Sequence, residues 1–132
     1  MREPVDGECF YCSDVAETVD HVVPRATRER LEATMEPLAW RSYCLRMPDV
    51  VPCCADCNSR KGALVFDSVP EICGYLARQL EAKHRRVLSA PHWAEDELDA
   101  LGPALRRDVE GQLAVARHVR RRLANLRHRK DR

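Results

Sequence analysis

Aromatic residues are nearly missing from this chain: two Phe, two Trp and three Tyr make up 5% of its 132 residues. That scarcity excludes a core built on large rings. With 33% charged residues, the expectation is a polar, helix-rich chain with a modest core. No run of eighteen apolar residues occurs, which excludes a membrane-spanning helix and predicts no membrane partner. The start, Met1-Arg2-Glu3-Pro4, lacks a signal-peptide pattern, so the expected setting is intracellular and cytoplasmic, bacterial or phage. Internal repeats and low-complexity segments are absent as well, which leaves one domain with an appendage.

Cysteine, by contrast, is plentiful. Seven of them in a reducing compartment point to metal binding rather than a disulfide framework, and the odd count agrees. Four fall in two Cys-x-x-Cys pairs, Cys9/Cys12 and Cys54/Cys57. Such knuckles offer two thiolates from one short turn, and two knuckles complete the tetrahedral set of a structural zinc. The 41 residues between Cys12 and Cys54 exceed an ordinary zinc ribbon, so something is inserted there. Cys53 adjoins Cys54 and could supply a thiolate in its place, but the two-residue gap favours Cys54 with Cys57, which points Cys53 into the core. Cys44 and Cys73 have no knuckle partner and read as buried thiols acting as small hydrophobes.

The formal net charge of +1 conceals an asymmetry. Residues 103–132 hold ten Lys/Arg against three Asp/Glu, leaving an acidic body with a basic tail. An anionic partner for that tail, or a solvated arginine-rich helix face, would each account for it.

Along the chain, a knuckle leads into a short strand at Thr18–Val23, with Pro24 as its stop. Residues 25–36 read as a helix, 37–48 as irregular and 49–52 as a second short strand. A short helix is predicted from Ala55 to Lys61, ended by Gly62. Ser68-Val69-Pro70-Glu71 is a capping-box pattern opening a helix over 69–88, with Ile72, Leu76, Leu80, Lys83 and Val87 on its stripe and Pro91 at its end. A short helix over 95–101 and a long one over 103–127 follow. The long helix carries Leu105, Val109, Leu113, Ala116, Val119, Leu123 and Leu126 as an apolar stripe that needs a partner, either the helix at 69–88 or a second copy of the chain. Trp40 and Trp93 can stack on bases, but anchoring the small core is the expected use of both.

Asp20 and His21 are neighbours in a strand, so their side chains leave on opposite faces. One can hold a metal while the other faces a water. Histidine is suited to general-base work near neutral pH, and a hard cation such as Mg²⁺ takes oxygen ligands, which Asp20 and the Asn58 carboxamide can supply.

Taken in order, Cys9-Phe10-Tyr11-Cys12, Asp20-His21-Val22-Val23-Pro24 and the run Asp49-Val50-Val51-Pro52-Cys53-Cys54-Ala55-Asp56-Cys57-Asn58-Ser59-Arg60-Lys61-Gly62 resemble a zinc-containing HNH endonuclease of the ββα-metal fold. The match spans roughly residues 8–64. The resemblance implies a small α+β fold: a ββα-metal (HNH) core over 1–66 with a four-cysteine zinc site and a helical insertion at 25–48, then a helical C-terminal extension over 67–132 with a basic last helix. It implies Asp20 and Asn58 as ligands of a catalytic Mg²⁺ or Mn²⁺, His21 as general base, and Arg60 and Lys61 near the scissile phosphate. Asp49 stands where the family usually has an asparagine that braces the base-bearing loop. An aspartate accepts those hydrogen bonds without donating them, and it can also pair with His21.

The function implied is phosphodiester hydrolysis of DNA, double-stranded in the leading reading. A zinc-stabilised nucleic-acid-binding module without catalysis and an RNA-directed nuclease are the alternatives. Arg117, Arg120, Arg121, Arg122, Arg127, Arg129 and Lys130 are expected to track phosphates along the last helix; Arg25, Arg28 and Arg30 can grip them near the site, but the interleaved Glu29 and Glu32 favour ordinary helical ion pairs there. The last helix also offers a surface for a homodimer.

Overall fold

The computed structural model describes residues 7–89 and 92–130. Within them the chain is a small α+β protein with one two-stranded antiparallel hairpin and seven helices, the last of them long. Strand β1 (Thr18–His21) pairs with β2 (Val50–Cys53) in the register Thr18↔Cys53, Val19↔Pro52, Asp20↔Val51 and His21↔Val50. The strand period of two puts Asp20, Val51 and Cys53 on the buried face and Val19 and Val50 on the open one.

The insert between the strands is two helices, α1 (Arg25–Thr34) and α2 (Pro37–Arg46). The second corrects the expectation of an irregular 37–48. Pro37 is not a breaker there. It occupies the first turn, where its missing N–H costs nothing, and helix-compatible residues follow it. Neither helix buries a residue completely. Helix α3 (Ala55–Lys61) closes the hairpin–helix unit and stops at Gly62, whose φ of 55° is the left-handed geometry that glycine tolerates.

Beyond it, Ser68 caps α4 (Val69–Lys83) by accepting the Glu71 N–H at 3.3 Å. The sequence pattern predicts one helix to 88. The chain instead breaks at His84 and resumes as α5 (Arg85–Leu88), although neither glycine nor proline sits at the break. Tertiary contact overrides the local pattern: Leu88 packs against the core and its carbonyl accepts from Arg120 at 3.2 Å. Pro91, the expected stop, lies outside the described residues, as does the side chain of Lys130. Helices α6 (Glu95–Asp99) and α7 (Pro103–Lys130) complete the order.

One hydrophobic cluster joins both ends of the chain. Cys9, Tyr11 and Cys12 from the first knuckle, Val22, Val23 and Val51 from the hairpin, Ile72, Leu76 and Leu80 from α4, and Val119, Leu123 and Leu126 from α7 belong to it. The large ring inside is Tyr11. Trp40 and Trp93, expected as anchors, are only half-buried and stand outside the cluster. Trp40 stacks on Tyr43 within α2 instead, with Arg28 over its ring. Helix α7 packs on α4, one of its two expected partners, over the C-terminal half of its stripe, and Leu105 near its start is 60% exposed. No described helix is long and apolar enough to cross a membrane.

Candidate metal centre and histidine cleft

The two knuckles converge. The Sγ atoms of Cys9, Cys12, Cys54 and Cys57 all lie within 4.8 Å of one another, and all four residues are buried. Local geometry prepares each pair. Ser13, at φ 65°, turns the first knuckle and donates its N–H to the Cys9 carbonyl at 2.9 Å. Cys54 sits at the N-cap of α3, where its sulfur accepts the Cys57 N–H at 3.4 Å. A tetrahedral zinc with Zn–S bonds of about 2.3 Å requires sulfur–sulfur edges of about 3.8 Å. The Cys12–Cys54 edge is 3.7 Å. No disulfide links any of the seven cysteines. Chemistry, burial and spacing of this donor set therefore fit a structural zinc.

Among the free thiols, hydrogen bonds from Cys54 and Cys57 hold Cys12 down to about 7, and a bond from Cys12 and further thiols around it take Cys9 lower still. Cys54 and Cys57 are pushed up, first by their bonds to Cys12. A bound zinc would deprotonate all four. Cys53 is buried beside the group, 4.0 Å from Cys9, without belonging to it. Cys73 is a buried thiol as expected, pushed up to about 12 by burial. Cys44 is not fully buried and accepts from Arg28 at 3.6 Å.

The oxygen and nitrogen groups are arranged differently from the sequence expectation. Asp20 is 4% exposed, and both of its oxygens are engaged. Tyr11 donates to Oδ2 at 2.7 Å, and the Lys61 ammonium lies 3.4 Å from Oδ1 and 3.3 Å from Oδ2. Lys61 is completely buried and also donates to the His21 carbonyl at 3.0 Å. Burial, then the Asp20 carboxylate, push the Tyr11 hydroxyl far above its ordinary range, so it remains a donor. Asn58 donates its amide to the Val19 carbonyl at 3.2 Å, bracing α3 against β1. As placed, Asp20 does not fit a divalent cation, because a lysine already neutralises it. Among the described residues the four cysteines are the only group of three or more Cys, His, Asp or Glu side chains close enough to share a metal ion. Arg60 pairs with Asp56 at 3.0 Å, so neither basic residue of the motif stands free beside the hairpin.

His21 lies on the other face. It opens onto a cleft of about 300 Å³ together with Arg25, Arg28, Glu29, Glu32 and Asp49. Its Nδ1 is buried with no hydrogen-bond partner among the described residues. Asp49 does not pair with it. Its carboxylate meets Arg28 at 3.6 Å, and its backbone carbonyl accepts the Val22 N–H at 3.1 Å. Arg28 also donates to the Met47 carbonyl at 3.1 Å, so one guanidinium ties α1 to the loop before β2.

On α7 the expected phosphate track is divided. Arg117 and Arg121 are exposed, Arg120 is bonded to Leu88, Arg127 pairs with Glu81, and Arg129 lies over Phe10 at 4.6 Å. Arg122 leaves the track altogether, since it is buried against the cysteines. The sequence reading missed that, although Val119, Arg122 and Leu126 share the three- and four-residue spacing of a single helix face. Tyr11 was missed too, and its position inside a knuckle held no sign of its bond to Asp20.

Fold and site together define a small α+β protein with a buried four-cysteine cluster that fits a structural zinc. Comparison with protein-family models, curated proteins and solved structures found no match.

Proposed function

We propose that this chain is an HNH-type endonuclease that hydrolyses phosphodiester bonds of DNA, with a structural zinc beneath a hairpin–helix unit. The observation that carries the reading is His21: an imidazole at the end of β1, in a cleft edged by Arg25 and Arg28, with no partner on its Nδ1 among the described residues. Nε2 is then the nitrogen left to take a proton from water. The water oxygen attacks phosphorus in line, the P–O3′ bond breaks, the departing O3′ takes a proton from solvent, and 5′-phosphate and 3′-hydroxyl ends result. Arg25, exposed on the rim of the same cleft, would hold the phosphate through charge-assisted hydrogen bonds, while Arg28 is committed to Asp49 and the Met47 carbonyl. Mg²⁺ or Mn²⁺ belongs to the family resemblance, but Asp20, held by Lys61 and Tyr11, has no free oxygen to offer it.

The second reading is a zinc-stabilised nucleic-acid-binding module, favoured by that same locked Asp20 and by the pairing of Asp49 with Arg28. A plasmid-nicking assay separates the two, run with Mg²⁺, with Mn²⁺ and with EDTA, and repeated on single-stranded RNA. The nuclease reading expects wild type to nick the plasmid in at least one of these conditions and His21→Ala to be slower by roughly 10²- to 10⁴-fold. Wild-type protein that binds DNA but cleaves neither substrate in any metal would establish the module instead. Cleavage confined to RNA would move the substrate and keep the chemistry.

A further inference from the structure

Arg122 comes from the far end of the chain to the cysteine centre. It is 7% exposed, and its guanidinium faces the sulfurs. Nε donates to Cys12 Sγ at 3.3 Å, and Nη2 donates to Cys57 Sγ at 3.4 Å and Cys54 Sγ at 3.7 Å. The same Nη2 lies 2.9 Å from Asp56 Oδ2, and Asp56 in turn holds Arg60 at 3.0 Å. One residue of α7 thus touches three of the four sulfurs and a carboxylate of α3.

The electrostatics give this contact a purpose. A zinc bound by four thiolates carries a net charge of about −2, and here it would sit where water is excluded. Buried charge is tolerated when it is paired and hydrogen-bonded. A single guanidinium halves the net charge, and its N–H groups draw density from the sulfurs they meet. Groups just outside a metal's ligands commonly govern how tightly it is held. Asn125 adds a second tie from the same helix, donating to the Cys12 carbonyl at 3.0 Å.

We propose that Arg122 locks the zinc centre, so that metal retention and seating of the C-terminal helix are coupled through its contacts with the thiolates. The coupling is reciprocal: whatever docked α7 adds to zinc affinity, zinc adds to the docking of α7. This inference rests on the zinc site alone and holds whichever function the histidine cleft serves.

The test uses the full-length, zinc-loaded protein and follows zinc loss to an excess of a colour-forming chelator. Arg122→Met keeps length and removes charge, and Arg122→Lys keeps charge and removes the fork. Zinc loss is expected to be roughly 10- to 100-fold faster in Arg122→Met, with Arg122→Lys between it and wild type. Leu126→Ala loosens α7 without touching a sulfur, and it too should release zinc faster. Loading with Co²⁺ isolates the sulfur contact, because the thiolate-to-cobalt absorption band should shift in both Arg122 variants and stay in place in Leu126→Ala. Should Arg122→Met fail to fold, Arg122→Lys carries both readouts. Wild-type release rates together with an unmoved cobalt band in the Arg122 variants would overturn the proposal, as would release governed by Leu126→Ala alone.

Discussion

Asp20 receives three contacts from two donors, and both donors come from residues that the sequence pattern explains only in part. Tyr11 is the third residue of a Cys-x-x-Cys knuckle, and Lys61 ends the short helix that the second knuckle begins. The knuckles and the strand were legible because spacing and alternation reveal backbone geometry. The Asp20–Lys61 pair was not, because a strand-facing carboxylate can meet a metal, water or an ammonium with the same local sequence. Removing Lys61 should show which partner matters. Lys61→Met leaves a buried carboxylate unpaired, with an expected loss of about 3–5 kcal/mol in urea unfolding. Asp20→Asn added to Lys61→Met should recover much of it, since the uncompensated charge is gone. A Lys61→Met protein as stable as wild type would mean that Asp20 finds another cation, and a divalent metal at Asp20 would then regain support.

Among the elements, α7 shows how far periodicity reaches. Its apolar stripe was readable along its whole length, yet only the part from Ala116 onward is buried. A stripe reveals an apolar face but not how much of that face the partner covers, and α4 covers about half. Leu126 and Leu105 occupy equivalent stripe positions, one fully buried and the other 60% exposed. Leu126→Ala should cost about 2–5 kcal/mol, and Leu105→Ala should change stability by less than about 0.5 kcal/mol in the monomer. A large loss at Leu105 that depends on protein concentration would indicate that a second copy covers that half.

The break between α4 and α5 yields a pH test. Burial first, then the neighbouring Lys83 and Arg60, hold His84 below its ordinary value. In the window between its folded and unfolded values the unfolded chain binds more protons, so stability is present above about pH 6.5 and declines as pH falls. His84→Gln should lose less stability than wild type between pH 7 and pH 5. Equal losses in denaturant titrations at the two pH values would remove His84 from the account.

At the scale of the whole molecule, the core has few large apolar side chains and many sulfurs. Five of the residues buried in its cluster around the knuckles are Cys9, Cys12, Cys53, Cys54 and Cys57. The knuckles were predictable from sequence as a metal site, and so was the loop they close. What sequence could not reveal was that α7 rests on that centre, because contact between Arg122 and Cys12 spans 110 positions with no periodic signal linking them. The four-cysteine cluster, the hairpin and the last helix therefore share one set of contacts. Structural zinc in small domains contributes about 10–16 kcal/mol to folding at neutral pH, more than the net stability of most domains this size. Chelation should therefore melt the hairpin–helix unit and α7 together, in one transition seen alike by far-UV circular dichroism and by trypsin cleavage after Arg121. Restoring one equivalent of Zn²⁺ should return both signals. If chelated protein keeps its helical signal and its protection at Arg121, the hydrophobic contacts between α4 and α7 are sufficient alone, and zinc organises only the knuckles.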